Sequence, residues 1–507
     1  MANSSQPSQQ DTQRLIQQLN SGQLAITERA AKDLIAKHPN SFVLHHILAL
    51  ALDGQQKFSE SVTSYKNAIE LQPNTPDLHF NLGIALGHLN QFDEAVTAYR
   101  RAIALNPKFF EAHGNLGTVL QRLGLLDEAI ASYKMGLKIN PQDARGHFNL
   151  GTALRDEGSL SEAIASYQKA ISLFPNYTDA YNNLGETLRD HGDMDAAVKN
   201  YQEALSRNPD HPNANYNMGE FFYLAKKYSE ATTYFERSQL DDWQARSMYS
   251  LYKAEQFDDS KMKLDHIVHN TRHTSPLIAT LATHYATNFD QKDTYNFCKN
   301  GFDFVYQNSI KELAAPNSLL LRQLLHDIES ADIAERVQGM LHYGKQSAGN
   351  LFKRPEPSFK QLATLVMQEF RNYKAHFANA DCELIQSFPE QFEFTSSWYV
   401  KMQQGGHLSP HIHEIGWISG AVYLAMPTSD GNEGAFEYGT HGDDYPIQPS
   451  KSQSNFPSAY TMPNVGDVVL FPSSLFHRTI PFKTNETRIC IAFDLKPSNS
   501  TSNKLNT

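Results

Sequence analysis

Four polar side chains near the C-terminus have types and spacing that could serve chemistry. His411 and His413 stand two residues apart in "SPHIHEIGW", so both imidazoles project from one side if this segment is extended. His477 ends the β-rich run "GDVVLFPSSLFH", and Arg488 opens "RICIAFD". Taken alone, the His-Ile-His pair is also consistent with two hydrogen-bonded histidines at the end of a strand.

The surroundings of Arg488 indicate a ligand. In an extended strand, Arg488, Cys490 and Ala492 share one face. The two small neighbours leave room beside the guanidinium, and the fork of N–H donors of the guanidinium suits a carboxylate. A ligand that carries a carboxylate is therefore expected on this face.

The elements that must position these side chains are mostly short strands. "PSFKQLATLVMQEFRNYKAHF" is typical of one amphipathic helix, and several β-rich runs follow it, among them "FEFTSSWYVKM", "WISGAVYLAMP" and "RICIAFDL". Turns rich in glycine, proline and asparagine separate the runs. This punctuation predicts an antiparallel sandwich or barrel.

These residues together resemble the Fe(II)- and 2-oxoglutarate-dependent oxygenases over roughly Ser347 to Pro497. The likeness rests on "HIHEIGWIS…YLAMP" followed by "GDVVLFPSSLFHRTIPF…RICIAFD". It implies a double-stranded β-helix, or jelly roll, with Fe(II) as metal, 2-oxoglutarate as cosubstrate and O₂ as reactant. By the same resemblance, His411 and His477 would be metal ligands and Arg488 would bind the distal carboxylate of 2-oxoglutarate.

The sequence departs from the family pattern at one position. The usual metal triad is two histidines and one carboxylate, whereas here the third position holds His413. The site is expected to use three histidines, His411, His413 and His477. Glu414 would point away from a regular strand, and His407 is expected at the surface or behind the ligands. Cupin dioxygenases also use three histidines, but the glutamate and proline-glycine spacings here differ from theirs.

A polar, turn-rich segment lies between the two histidine motifs. "EYGTHGDDYPIQPSKSQSNFPSAYTMP" is expected to be a loop near the site, where substrate selection would occur. His441, Asp443 and Asp444 could contact a substrate there, but the sequence favours solvated loop positions for them.

The first half of the chain is a repeat array with a period of 34 residues. Each repeat carries a glycine, an alanine, an aromatic residue and a proline at fixed positions; the prolines are Pro73, Pro107, Pro141, Pro175 and Pro209. The period and "NLGxxL…DEAxxxY…AxxxNP" resemble the tetratricopeptide repeat. Each unit would be two helices that cross closely at the glycine, and neighbouring units must stack to bury their apolar faces.

An asparagine recurs two positions before each repeat glycine. The five residues are Asn81, Asn115, Asn149, Asn183 and Asn217. In the tetratricopeptide family this position faces the concave groove, and the row resembles the asparagine ladder of O-linked N-acetylglucosamine transferases, which clamps a peptide backbone. A protein or peptide is therefore the expected partner, held by carboxamides that both donate and accept hydrogen bonds. The alternative is that these asparagines only bond neighbouring helices.

The chain is expected to divide into five segments. These are a disordered N-terminus over 1–9, a tetratricopeptide solenoid over 10–245 with clear repeats over 76–244, a degenerate repeat and helical linker over 246–345, the oxygenase-like domain over 346–497, and a disordered tail over 498–507. The fold class is thus multidomain, with an all-α solenoid followed by a helical linker and a jelly roll.

Composition narrows the functional classes. A net charge of −11 without a basic stripe argues against nucleic acid as partner. No apolar run reaches the roughly 18 residues that a membrane span needs, so no membrane partner is expected. The three cysteines form no CxxC pair, which argues against disulfides and structural zinc and favours the cytoplasm.

The expected activity is that of an Fe(II)- and 2-oxoglutarate-dependent dioxygenase that hydroxylates a protein or peptide recruited by the repeats. Two other hypotheses stay open at this point. The chain could be a protein-binding scaffold whose oxygenase-like domain is inactive, or an oxygenase of small molecules that uses its repeats for assembly.

Overall fold

The computed structural model describes residues 6–240, 242–330, 333, 335–336, 340–347, 350–414, 416–429 and 431–498. The expected disordered ends lie mostly outside the described residues, since residues 1–5 and 499–507 are not among them. Gln9 already begins the first helix, whose cap is Ser8. The chain divides into two compact units, Met1–Phe221 and Phe222–Thr507.

The first unit consists of consecutive helix pairs. Its helices are α1 (Gln9–Asn20), α2 (Leu24–Ile35), α3 (Phe42–Gly54), α4 (Phe58–Leu71), α5 (Pro76–His88), α6 (Phe92–Leu105), α7 (Phe110–Arg122), α8 (Leu126–Ile139), α9 (Ala144–Glu157), α10 (Leu160–Leu173), α11 (Thr178–His191) and α12 (Met194–Arg207), followed by α13 (Pro212–Leu224), which crosses the boundary between the units.

The repeat residues explain how each pair packs. A Cβ atom on Gly83 would lie 2.6 Å from the Tyr99 ring, and one on Gly117 would lie 2.7 Å from the Tyr133 ring. The aromatic residue of the second helix therefore needs a glycine on the first, as the spacing predicts. Pro73 follows the end of α4 by two residues, in keeping with the inability of proline to continue a helix.

The second unit combines helices with a curled antiparallel sheet. Its helices are α14 (Tyr228–Ser238), α15 (Trp243–Lys253), α16 (Phe257–Asn270), α17 (Pro276–Asn288), α18 (Lys311–Ala314), α19 (Leu319–Ser330), α20 (Pro357–His376) and α21 (Glu383–Gln386). Its strands are β1 (Tyr306–Ser309), β2 (Glu335–Arg336), β3 (Leu341–Ser347), β4 (Phe392–His411), β5 (Ile418–Ala425), β6 (Phe436–Gly439), β7 (Ser458–Thr461), β8 (Asp467–Pro472), β9 (Phe476–Thr479) and β10 (Arg488–Pro497).

The strand order is β1-β8-β5-β10-β4-β9-β6-β7, with β3 also paired to β4 and β2 paired to β3. The long strand β4 joins two parts of this sheet. Its first half pairs with β10, and its last residues pair with β9 across a register shift. Gly405, at a φ of 80°, lies in this part of β4, where the left-handed conformation suits glycine. The curled sheet confirms the expected fold class, a helical solenoid followed by a jelly roll.

The boundaries around the middle of the chain differ from the expected ones. Residues 246–345, expected to be a degenerate repeat and helical linker, also supply strand β1 and most of β3, which pair with β8 and β4. A four-residue strand is too short to show a period, so helical spacing nearby dominated the pattern. Helices α15 and α17 share one hydrophobic core with the sheet, which explains why the second unit begins well before residue 346.

Candidate metal centre and its surroundings

Two neighbouring strands bring the histidines together. His411 ends β4 and is the register partner of His477 on β9, so the two side chains lie on one face. His413 follows two residues after β4 ends. The ligand nitrogens of His411, His413 and His477 all lie within 4.8 Å of one another.

Hydrogen bonds fix which ring nitrogens face each other. His411 Nδ1 lies 2.8 Å from the Ser409 carbonyl oxygen, and His477 Nδ1 lies 3.2 Å from the Leu475 carbonyl oxygen. Because a carbonyl only accepts, each Nδ1 carries the proton and each Nε2 keeps a lone pair. The Nε2 atoms of His411 and His413 are 3.4 Å apart. Lone pairs at this separation suit a shared cation.

The protonation of the cluster also fits a metal ion. Burial, and then the neighbouring His413, lowers the pKa of His411 to about 4. Burial, and then His411, holds the pKa of His477 well below its usual range. Both rings are therefore neutral near pH 7, so a metal would not have to displace a proton from them.

A buried carboxylate orients the third imidazole. Asp494 Oδ1 contacts His413 Nδ1 and also accepts from Ser419 Oγ at 2.7 Å, while Oδ2 accepts from Ser396 Oγ at 2.8 Å. Burial raises the pKa of Asp494, but the contact with His413 and the hydrogen bonds outweigh it and lower the pKa. Asp494 is thus ionised and directs the Nε2 of His413 toward the other two histidines.

Arg488 is a buried cation on the same inner face. It is 2% exposed, its Nε donates to the Gly434 carbonyl oxygen at 3.3 Å, and its guanidinium lies 5.0 Å from the Tyr423 ring centre. Within the described part of the chain, no carboxylate forms an ion pair with it. A buried charge without a partner is costly, so this position fits an anionic group of a ligand.

One cavity joins these groups. It has a volume of about 480 Å³, and its walls include the three histidines, Arg488 and Asp494. The clustered histidines and an unpaired guanidinium therefore face a single space large enough for a small dicarboxylate.

Two other residues of the motif lie outside this cluster. His407 stacks on His342 with ring centres 4.5 Å apart, and its Nδ1 lies 3.0 Å from the Gly405 carbonyl oxygen. The Glu414 carboxylate accepts from Arg246 of α15 at 2.6 Å. Glu414 therefore fixes the segment after β4 to a helix of the same unit.

The polar segment over 439–458 forms the wall of a second cavity. His441 is half-buried, and its Nδ1 lies 2.9 Å from Nε2 of His284. Asp443 and Asp444 are exposed, as expected for loop residues. His441 therefore differs from its two acidic neighbours, because it has a buried hydrogen-bond partner and they are exposed.

The five repeat asparagines occupy the first helix of their pairs, from α5 to α13. Four of them are half-buried, namely Asn81, Asn115, Asn149 and Asn183. Asn217 is buried, and its Nδ2 donates to Asn182 Oδ1 and to Glu186 Oε1, both at 3.0 Å. Its Oδ1 accepts from Arg189 at 3.2 Å, so this member of the ladder already has internal partners.

Known protein families match segments in both halves of the chain. Residues 54–90, 88–124 and 151–192 match a TPR repeat family, and residues 110–143 and 182–245 match two further tetratricopeptide repeat families. Residues 396–494 match the family described as "Putative 2OG-Fe(II) oxygenase". The chain combines tetratricopeptide repeats with a C-terminal 2OG-Fe(II) oxygenase-family domain. The matched segment contains all three clustered histidines, Arg488 and Asp494.

The chain is similar to solved structures at low sequence identity. MamA from Desulfovibrio magneticus RS-1 is 23% identical, with a TM-score of 0.32, over 33% of this chain and 95% of its own. YrrB, titled "a TPR protein with an unusual peptide-binding site", is 22% identical, with a TM-score of 0.33, over 36% of this chain and 95% of its own. No curated protein matches the chain. In the part of the chain that the structure describes, every helix is too short or too polar to cross a membrane.

Asp494 and His284 were not predicted from the sequence. Asp494 continues the alternation of Arg488, Cys490 and Ala492, so extending that face by two residues would have identified it. His284, which contacts His441, lies 157 positions earlier in the chain. No local pattern links two residues at that separation.

Proposed function

We propose that the C-terminal domain is an Fe(II)- and 2-oxoglutarate-dependent dioxygenase that hydroxylates a protein or peptide recruited by the repeats. The observation that carries this proposal is one cavity in which three orientated histidines, His411, His413 and His477, face an unpaired, buried arginine. In the proposed site, His411, His413 and His477 hold the metal through Nε2, and Arg488 binds the distal carboxylate of 2-oxoglutarate.

The bound metal and cosubstrate would supply the oxidation of a C–H bond by O₂. The chain's own residues prepare the site for this. Backbone carbonyls hold the Nδ1 protons of His411 and His477, and Asp494 holds that of His413, so the three ligands need little reorganisation. The buried position of Arg488 strengthens its attraction for a carboxylate, because little water screens the pair.

The repeats are proposed to recruit the substrate. Half-buried carboxamides on successive first helices support this, since each can donate to and accept from a peptide group. Asn81, Asn115, Asn149 and Asn183 are the proposed contact residues. Asn217 belongs to the same ladder, but its internal hydrogen bonds favour a structural role within the array.

A cytoplasmic location is part of the same proposal. Cys298, Cys382 and Cys490 are all buried and free, which suits a reducing compartment.

Anaerobic titration of the full chain with Fe(II) and then 2-oxoglutarate tests the proposed activity at its first step. A weak visible charge-transfer band that needs both additions supports the dioxygenase. If neither Fe(II) nor 2-oxoglutarate binds while the repeats still capture a protein, the chain is a scaffold instead.

A further inference from the structure

A second cavity lies at the rim of the curled sheet, next to the histidine cluster. Its volume is about 480 Å³, and its walls include Tyr438, His441, Asp443, Phe456 and His477. Tyr438 is the register partner of His477, so the two side chains lie on the same face of neighbouring strands. A substrate bound in this cavity would therefore lie beside the proposed metal centre.

A series of hydrogen bonds leads to His441. It begins at Asn288, and each group in it donates to the next. The backbone N–H of Gln448 donates to Asn288 Oδ1 at 3.0 Å, which fixes the orientation of the amide. Asn288 Nδ2 then donates to the Tyr252 hydroxyl at 3.0 Å. An amide nitrogen cannot accept, so the Tyr252 proton must find another acceptor.

His284 supplies that acceptor with one ring nitrogen, and its other ring nitrogen faces His441. Its Nδ1 lies 2.7 Å from the Tyr252 hydroxyl, and its Nε2 lies 2.9 Å from His441 Nδ1. Because Tyr252 donates to Nδ1, the proton of the neutral His284 ring is on Nε2 and is donated to His441. The proton of the neutral His441 ring is then on Nε2. Among the described residues, no side chain or backbone group accepts a hydrogen bond from that nitrogen.

Burial keeps this arrangement neutral. Asn288, Tyr252 and His284 are each 0% exposed. Burial, and then the contact with His441, lowers the pKa of His284 to about 3, and burial lowers the pKa of His441 as well. Both rings therefore hold one proton near pH 7, and His441 offers the cavity a neutral N–H donor of fixed position.

The charges around the cavity disfavour an anion and favour a neutral polar group. Glu437 and Arg478 pair at 2.8 Å and balance each other. Asp443 has no cation paired with it in the described part of the chain, so a negative charge remains at the rim. A ligand that accepts from His441 and donates to a carboxylate would satisfy both sides, and an amide does this with one planar group.

We propose that this cavity binds an amide group of the oxygenase substrate. His441 Nε2–H donates to the amide oxygen, and the Asp443 carboxylate accepts from the amide N–H. The inference rests on the proposed function only in naming the ligand as substrate. Tyr252 and His284 act as positioning residues, because they set the tautomer of His441 without touching the ligand.

The tautomer is tested on the full chain labelled with ¹⁵N-histidine. The ¹⁵N ring signals of His441, assigned by their loss in His441→Phe, should show a proton on Nε2 and none on Nδ1. Tyr252→Phe keeps the ring but removes the donor to His284, so the His441 signals should shift toward a mixture of tautomers. A proton on Nδ1 of His441 in the wild-type chain would overturn the proposal.

Ligand binding is tested with propanamide as the amide, and with methyl propanoate and propanoate as the ester and acid that lack an amide group. The amide should move the His441 Nε2 signal and bind wild type roughly threefold to tenfold more tightly than it binds His441→Phe. His441→Gln, which keeps an N–H donor, should regain part of the affinity, and the exposed His269→Phe should match wild type. The ester and the acid should bind more weakly.

Equal affinity of the amide for wild type and His441→Phe would overturn the proposal, as would equal binding of amide and ester or no amide binding at all. The proposed function is tested by a different measurement, the binding of Fe(II) and 2-oxoglutarate. If Fe(II) and 2-oxoglutarate bind but the amide does not, only the amide assignment is wrong. If the amide binds and the metal does not, the dioxygenase assignment is wrong.

Discussion

The Nδ1 atom of His413 lies against Oδ1 of Asp494, which leaves its Nε2 facing that of His411 at 3.4 Å. The usual triad of these oxygenases includes a carboxylate ligand. Here the carboxylate belongs to Asp494, which lies behind the ring of His413 and is hydrogen-bonded to it. In the proposed site it would supply negative charge close to the metal without occupying a coordination position, and this would compensate for the neutral ligand.

Removing that charge should weaken metal binding. Asp494→Asn keeps an oxygen that accepts from His413 Nδ1, so it tests charge more than shape. Its affinity for Fe(II) should fall about tenfold, and that of Asp494→Ala about a hundredfold, the range known for partners of metal-bound histidines. Anaerobic Fe(II) titration measures both. Asp258→Asn, which changes an exposed carboxylate of α16, is the matched control, and an equal loss in that variant would refute the assignment.

Placing a carboxylate at position 413 tests whether His413 and Asp494 depend on each other in metal binding. His413→Asp should bind Fe(II) poorly, because the new carboxylate faces Asp494 without a proton donor between them. The double variant His413→Asp/Asp494→Asn removes that repulsion and should bind Fe(II) more tightly than His413→Asp alone. The coupling is read from the four affinities as a double-mutant cycle. Additive changes would mean that the two positions act independently.

Loss of the buried guanidinium should affect the cosubstrate and spare the metal. Arg488→Ala leaves the distal carboxylate of 2-oxoglutarate unpaired in a cavity, at a cost of a few kcal/mol. The affinity for 2-oxoglutarate should fall by roughly two orders of magnitude, since about 1.4 kcal/mol is tenfold. Calorimetry on the metal-loaded chain measures this, with Fe(II) affinity as the internal control. An unchanged 2-oxoglutarate affinity would exclude this role for Arg488.

The asparagine ladder should behave as a distributed binding surface. Replacing Asn115, Asn149 and Asn183 together by alanine should weaken capture of a peptide partner by roughly tenfold to a thousandfold, at about 0.5–1.5 kcal/mol for each carboxamide. Helix content should persist, because alanine suits a helix interior. The partner is first isolated with the His477→Ala chain. Unfolding of the triple variant would make these asparagines structural, and unchanged capture would place recruitment elsewhere.

Asn217→Ala is the informative comparison for that experiment. Its carboxamide bonds to Asn182, Glu186 and Arg189, so its loss takes the hydrogen-bond donor from the buried Asn182 Oδ1 and removes one bond each from Glu186 and Arg189. In the triple variant Asn183 also loses a hydrogen bond, from Asn182 at 3.3 Å, so Asn217→Ala should lose more stability than the triple variant does. The sequence places Asn217 in the same ladder as the others, and only the neighbouring side chains separate the two roles.

The sequence predicts those structural features whose residues recur at a regular spacing along the chain. The period of 34 residues locates the solenoid helices, and the spacing of His411, His413, His477 and Arg488 identifies residues that the fold assembles. It does not predict β1, because a strand of four residues shows no period and is stabilised by pairing with β8. Nor does it predict the contact of His284 with His441, which depends on how α17 packs against the segment after β6.

The central claim is that the histidine cluster and Arg488 form one Fe(II) and 2-oxoglutarate site. Anaerobic titration of the full chain, followed by visible absorption, tests it most directly. The wild-type chain and His407→Ala should both develop the weak charge-transfer band when Fe(II) and 2-oxoglutarate are present together, whereas His411→Ala and His477→Ala should not. A wild-type chain that shows no band at saturating additions, or a band that survives in His477→Ala, would contradict the account.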